Sequence, residues 1–202
     1  LDQLLVPAAD SDHMRGAPAA GVTIVEYGDY ECPHCGRTHP IIKRLLKQFD
    51  GRRRFVFRHF PQNNGHPHAS VAAQAAEAAG AQGRFWEMHD LMFDHQDDLA
   101  EADLVQYALK IGLEVYRFEA DMSSERFARR VRADRDGGQR IGVRRLVGKR
   151  SVGLPRIDCS VHVHDVGEPQ RRRELQCDRG RVSNGRPDHR PPKRLQRLRI
   201  LL

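Results

Sequence analysis

The stretch 26-EYGDYECPHCGRTHP-40 places two cysteines two residues apart, directly after the β-branched, apolar run 22-VTIVEY-27. That run reads as a buried strand. Pro33 suits the first position of a helix, where its missing N–H is no loss, and this makes Cys32 the N-cap. Ile41, Ile42, Leu45, Leu46 and Phe49 then recur at helical spacing, with Asp50-Gly51 as the stop. Pro40 deletes one backbone bond and predicts a kink inside that helix. A strand that runs into Cys-x-x-Cys at a helix start leaves three readings: a redox pair, half of a zinc site, or chance.

Chance accounts poorly for a Cys pair in this strand–helix setting. A structural zinc site needs a second pair of ligands. The candidates are neighbouring histidines, or Cys159, His162, His164 and Cys177 near the carboxyl end. Pro33 also suits a helix start better than a metal-binding turn. The redox reading is therefore preferred. At a helix N-terminus the unpaired N–H groups and the dipole favour an anion, so the Cys32 thiolate is stabilised. A protonated His34 would add positive charge. A stabilised thiolate leaves readily, which makes a disulfide at this site a strong oxidant. Cys35, one turn in, is expected to be buried and to resolve the mixed disulfide. Glu26 is either a buried acid beneath the pair or an exposed strand residue, since Val25 and Tyr27 on either side fit both.

Beyond the motif, 54-RFVFRHF-60 reads as a second strand. From Pro67 the chain turns helical: an Ala-rich helix ending at Gly80, then Phe85 to Phe93, Asp103 to Ile111, and Ser124 to Asp136. The order is strand, helix, strand and a block of helices. A two-stranded sheet is not stable by itself, so further strands must come from the carboxyl-terminal part. Only 161-VHVHDV-166 alternates there as a strand does.

Composition divides the chain. Residues 1–137 carry a slight acidic excess, whereas residues 138–202 carry a basic excess larger than the whole chain's net +7. No Phe, Tyr or Trp follows Phe127. The change falls near Gly137-Gly138. The domain reading is a 1–20 amino-terminal extension, an α/β domain over 21–143 with a helical insertion over 66–136, and a basic, aromatic-free tail over 144–202. The tail is expected to pack poorly and to be disordered or the product of a shifted reading frame. No window has the run of apolar residues that a membrane span needs. The amino end lacks the basic start and apolar segment of a signal peptide. His59, His66 and His68 invite a metal reading, but His66-Pro67-His68 reads better as a helix entry, and no metal is assigned. The Arg171–Arg173 run lacks the aromatics and motifs of sequence-specific nucleic-acid binding. Cys159 and Cys177 read as adventitious thiols.

Residues 25-VEYGDYECPHCG-36, 54-RFVFRHFP-61, 66-HPHASVAAQAAEAAGAQGRFWEMHDLMF-93 and 109-LKIGLEVYRFEADM-122 together resemble the DsbA-like branch of the thioredoxin superfamily. The likeness covers about Asp10 to Val143. It is closest to single-domain bacterial proteins of this type and to similar domains fused behind sodium/proton antiporters. The resemblance implies a thioredoxin-like fold with a helical insertion after the second strand. It implies that Cys32 attacks, Cys35 resolves, and Glu26 is the buried acid, with Pro33 and His34 tuning the pair and no cofactor. It further implies cysteine-containing protein substrates, a re-oxidising partner (in the membrane or soluble), and a location in the periplasm or cell envelope, with an export signal or anchor lying outside this Leu1-started sequence; the cytoplasm is the alternative. The family's turn with a cis-proline is replaced here by 144-RRLVGKRSVGLP-155, and Pro155 is the residue assigned to that substrate-binding role. A non-catalytic zinc- or nucleic-acid-binding protein using the basic tail is the competing reading.

Overall fold

The computed structural model describes residues 7–48 and 52–143, together with the backbone of 160–165. Pro155, Cys159, Cys177, the Arg171–Arg173 run and the expectation of a poorly packed tail lie outside the described residues, except where 160–165 bear on it. All described elements belong to one compact unit, residues 1–167.

The protein is α/β with a thioredoxin-like sheet. Strands β1 (His13–Gly16), β2 (Val22–Gly28), β3 (Arg53–His59) and β4 (Ser160–Asp165) lie in the order β1-β3-β2-β4. β2 and β3 are parallel, with Glu26 opposite Phe57, and β1 runs antiparallel to β3. β4 runs antiparallel to β2, with Val161 opposite Glu26 and Val163 opposite Ile24. The alternating 161–166 segment thus supplies a strand, and two further strands flank the central pair. One of them, β1, comes from within the segment read as an extension. It is a four-residue edge strand, HMRG, too short and too polar to announce itself.

Helix α1 (Pro33–Gln48) follows β2 and continues through Pro40. The insertion contains α2 (Ala69–Gly80), α3 (Phe85–Asp94), α4 (Glu101–Lys110), α5 (Val115–Met122) and α6 (Glu125–Arg140). Helix α5 was not anticipated: at eight residues it shows only Phe118 and Met122 as a buried pair. Its start is fixed by Glu114, whose carboxylate accepts from the backbone N–H of Tyr116 and Arg117.

Strand alternation sorts the core into two layers. Ile24, Phe55 and Phe57 face α1 and the insertion, where Ala72, Ala75, Ala76 and Ala79 of α2 pack with Phe85, Met88, Leu104 and Phe118. Val25, Tyr27, Val56 and Phe60 form the opposite layer with Val143. Gly137 and Gly138, where composition changes, are not a junction but the interior of α6. A Cβ at 138 would sit 2.8 Å from Phe60 Cδ2 and 2.9 Å from Tyr27 Cδ1, so glycine lets the helix press onto this layer.

Candidate functional site

The Cys-x-x-Cys segment begins α1, as the sequence requires. Pro33 is the first helical residue, and the Cys32 carbonyl accepts the first helical bond from Gly36 N at 3.1 Å. Pro33 and His34 are exposed, whereas Cys32 and Cys35 are 3% and 2% exposed. The Asp29 N–H points at Cys35 Sγ at 3.4 Å. His34 Nδ1 lies within hydrogen-bond reach of the Arg37 guanidinium, which brings a permanent positive charge to the first turns of α1.

Glu26 resolves the alternative left open by sequence. It is 2% exposed and lies on the same strand face as Ile24, which packs in one layer with Cys32, Cys35 and Ile42. Its Oε1 has no hydrogen-bond partner among the described residues. Burial alone pushes its carboxyl up to about 8. A buried acid that ionises near neutrality, on the strand that leads into a dithiol motif, can carry a proton to or from that motif.

Residues that sequence reading did not single out hold the loop before α1. Asp29, 3% exposed, accepts from Glu31 N at 2.9 Å, Gln62 N at 2.8 Å and His66 Nδ1 at 2.7 Å. Glu31 accepts from the backbone N–H of His68 at 2.7 Å and pairs with its ring at 3.1 Å. Tyr30 donates to, or accepts from, His89 Nδ1 at 3.1 Å, and burial together with nearby carboxylates drives its phenol well upward. Gln96, in the turn after α3, donates to the carbonyls of Tyr30 and Cys32. Asp29 and Glu31 lie within the motif itself, and their signal was two acids spaced to match His66 and His68.

His59, His66 and His68 therefore face three different carboxylates. His59 Nε2 lies 2.9 Å from Glu77 Oε1, which His13 Nε2 also reaches at 2.9 Å. Two groups have donor atoms close enough to hold an ion: His13, His59 and Glu77; and His39, His89 and Asp90. In each, a protein cation already addresses the carboxylate. Arg130 lies 3.7 Å from Glu77 Oε1, while Arg15 and Lys43 lie 3.3 Å and 3.6 Å from Asp90 Oδ2. Those charges oppose a divalent ion, and the groups act as polar ties between elements.

Residues 8–145 match the family model described as Thioredoxin. The chain belongs to the thioredoxin family. Among solved structures it is similar to a thioredoxin-like oxidoreductase from Silicibacter pomeroyi, with 26% identity, a TM-score of 0.61, and coverage of 66% of this chain and 76% of that one. BdbD from Bacillus subtilis in its oxidised form shares the fold at 24% identity and a TM-score of 0.64, covering 79% of this chain and 84% of that one. Both neighbours share the fold of this chain.

Curated relatives carry a different name. The chain is 41% identical to the Na(+)/H(+) antiporter NhaA 1 of Salinispora arenicola over 93% of this chain but 30% of that protein. It is 48% identical to NhaA 3 of Salinispora tropica over 66% of this chain and 20% of that protein. The chain spans under a third of these relatives, as a domain fused to an antiporter would. The first match runs past Val143 into the basic stretch. Among the described residues no helix is long and apolar enough to cross a membrane.

Proposed function

We propose that this domain exchanges a Cys32–Cys35 disulfide with the thiols of proteins, and that it acts as an oxidant. The observation that carries the reading is the geometry of the motif: Cys32 stands at the N-terminus of α1, and Glu26, a buried acid whose Oε1 has no hydrogen-bond partner among the described residues, lies on the sheet face that packs with the pair. A substrate thiolate attacks Cys32 Sγ; the Cys32–Cys35 bond breaks and a mixed disulfide forms. Cys35 leaves as a thiolate and takes a proton from Glu26, which is neutral below about pH 8. A second substrate thiolate then attacks the substrate sulfur. Cys32 departs as a thiolate stabilised by the helix N-terminus, and the substrate leaves oxidised.

The dithiol must then pass two electrons to a re-oxidising partner. Such chemistry belongs outside the cytosol, where disulfides persist. Pro155 is assigned the substrate-contacting role of the family's proline. Titration of the thiolate absorbance tests the reading. Cys32 should ionise well below a free cysteine, Cys32→Ser should abolish exchange, and Cys35→Ser offered oxidised glutathione should accumulate the Cys32–glutathione mixed disulfide as one glutathione thiolate leaves. A Cys32 that titrates as an ordinary thiol, with zinc co-purifying, would sink it and favour the metal-binding alternative.

A further inference from the structure

We infer that Gln96 is a positioning residue that sets the redox poise of the cysteine pair; the inference rests on the exchange function proposed above. Gln96 stands just beyond α3, in the helical insertion, yet its side chain reaches into the start of α1. Nε2 donates to the Tyr30 carbonyl at 2.7 Å and to the Cys32 carbonyl at 2.9 Å. Both N–H groups of the amide are thereby spent on the backbone immediately around the proposed attacking cysteine.

The opposite end of the amide fits Gly36, the residue after Cys35. A Cβ built at 36 would fall 1.8 Å from Gln96 Oε1 and 2.5 Å from Cδ. Glycine at 36 is what admits the amide. One side chain from the insertion thus occupies the space beside the motif and ties its two leading carbonyls. Asp29 and Glu31 anchor the same loop to residues 62–68 through their side chains, and the Asp29 carbonyl accepts from Cys32 N at 3.2 Å. Gln96 adds a side-chain bond to the Cys32 carbonyl from outside both the loop and α1.

The tie weighs unequally on the two redox states. In the disulfide, the Cys32–Cys35 bond already fixes the loop against α1. In the dithiol that bond is gone, and the sulfur of Cys32 stays at the helix N-terminus only if its backbone is held there. Gln96 therefore stabilises the reduced, thiolate form more than the oxidised one, which raises the oxidising power of the pair. A contact that merely joined the insertion to the core would stabilise both forms alike and leave the exchange equilibrium unchanged.

The test uses the full chain and two substitutions that remove the tie differently. Gln96→Met keeps the volume and loses both donors, whereas Gly36→Ala expels the amide without altering it. The readouts are the equilibrium of Cys32–Cys35 disulfide plus two glutathione thiols with the dithiol plus glutathione disulfide, the Cys32 thiolate midpoint, and the unfolding of each redox form. Both variants should shift the glutathione equilibrium toward the disulfide by about fivefold, roughly what one net hydrogen bond amounts to. Both should raise the thiolate midpoint and destabilise the reduced form more than the oxidised. The double variant should add little to either single change. Equilibria within twofold of the parent in both folded variants, or equal destabilisation of the two redox forms, overturn the inference alone. A parent protein whose Cys32 titrates as an ordinary thiol overturns the exchange reading and this inference with it.

Discussion

Two carboxylates are buried beside the same sheet and have opposite fates. Glu26, on β2, is 2% exposed, and its Oε1 meets no hydrogen-bond donor among the described residues; its carboxyl is pushed up to about 8. Glu77, on α2, is 6% exposed, yet its carboxyl is held well below the usual range. Burial opposes ionisation of Glu77, but hydrogen bonds and charge from His13 and His59 outweigh it. Burial alone therefore does not decide ionisation; company does. The partnered acid holds β1, β3, α2 and α6 together. The other, whose Oε1 finds no donor among the described residues, is costly to the fold and lies on the sheet face that packs with the cysteine pair.

The largest expected effect breaks the partnered side. Glu77→Ala strands His13, His59 and Arg130 around a buried gap and should cost about 3–5 kcal/mol in urea unfolding. A loss below about 1 kcal/mol would show that the network is ornamental. Next, Glu26→Gln should stabilise the protein. Glu26 keeps its proton to about pH 8 when folded but loses it near 4.5 when unfolded. Between those values the folded state holds one proton more, so stability falls by about 1.4 kcal/mol per pH unit as pH rises. The gain from Glu26→Gln should thus be roughly 3 kcal/mol larger at pH 7 than at pH 5, and a pH-independent gain would contradict the assignment. Glu77 has the opposite sign: its lowered carboxyl stabilises above 4.5, and the benefit is lost as pH falls.

Smaller effects sharpen the contrast. Gly138→Ala pushes α6, which carries Arg130, away from Phe60 and Tyr27. Overpacking of about 1–3 kcal/mol, partly offset by alanine's better helix propensity, should leave a net loss near 1 kcal/mol by thermal unfolding. Unchanged or raised stability would mean that α6 has slack against this layer. Arg130→Gln should cost least, about 0.5–1 kcal/mol, because its side chain is 24% exposed and its pairs are partly screened. A larger loss would move Arg130 from the rim of the network to its centre.

The parts legible in the sequence were those with a short-range signature. Cys32, Pro33 and Cys35 declared a capped helix, and 22-VTIVEY-27 declared its strand. The Ala-rich run and the Phe85, Leu104 and Phe127 stripes gave four of the five insertion helices. What escaped depends on distant partners. β1 is a strand only because β3 lies beside it, and Glu26 is an acid of raised affinity because distant elements bury it. Gln96 carries no local mark, since its targets are backbone carbonyls more than sixty residues away. The Gly137-Gly138 pair misled for a related reason: its neighbours across the helix–sheet contact, not along the chain, explain it.

The pairing of β4 with β2 has a consequence for synthesis. On the ribosome, the cysteine motif and the six described helices emerge before residues 160–165, the strand that completes one side of β2. Translation at about 5–20 residues per second leaves that central strand with an open edge for several seconds, beside a cysteine pair already synthesised. The last of the described strands to arrive is the one laid along Glu26, so the nascent domain holds its cysteine motif before that side of β2 is covered.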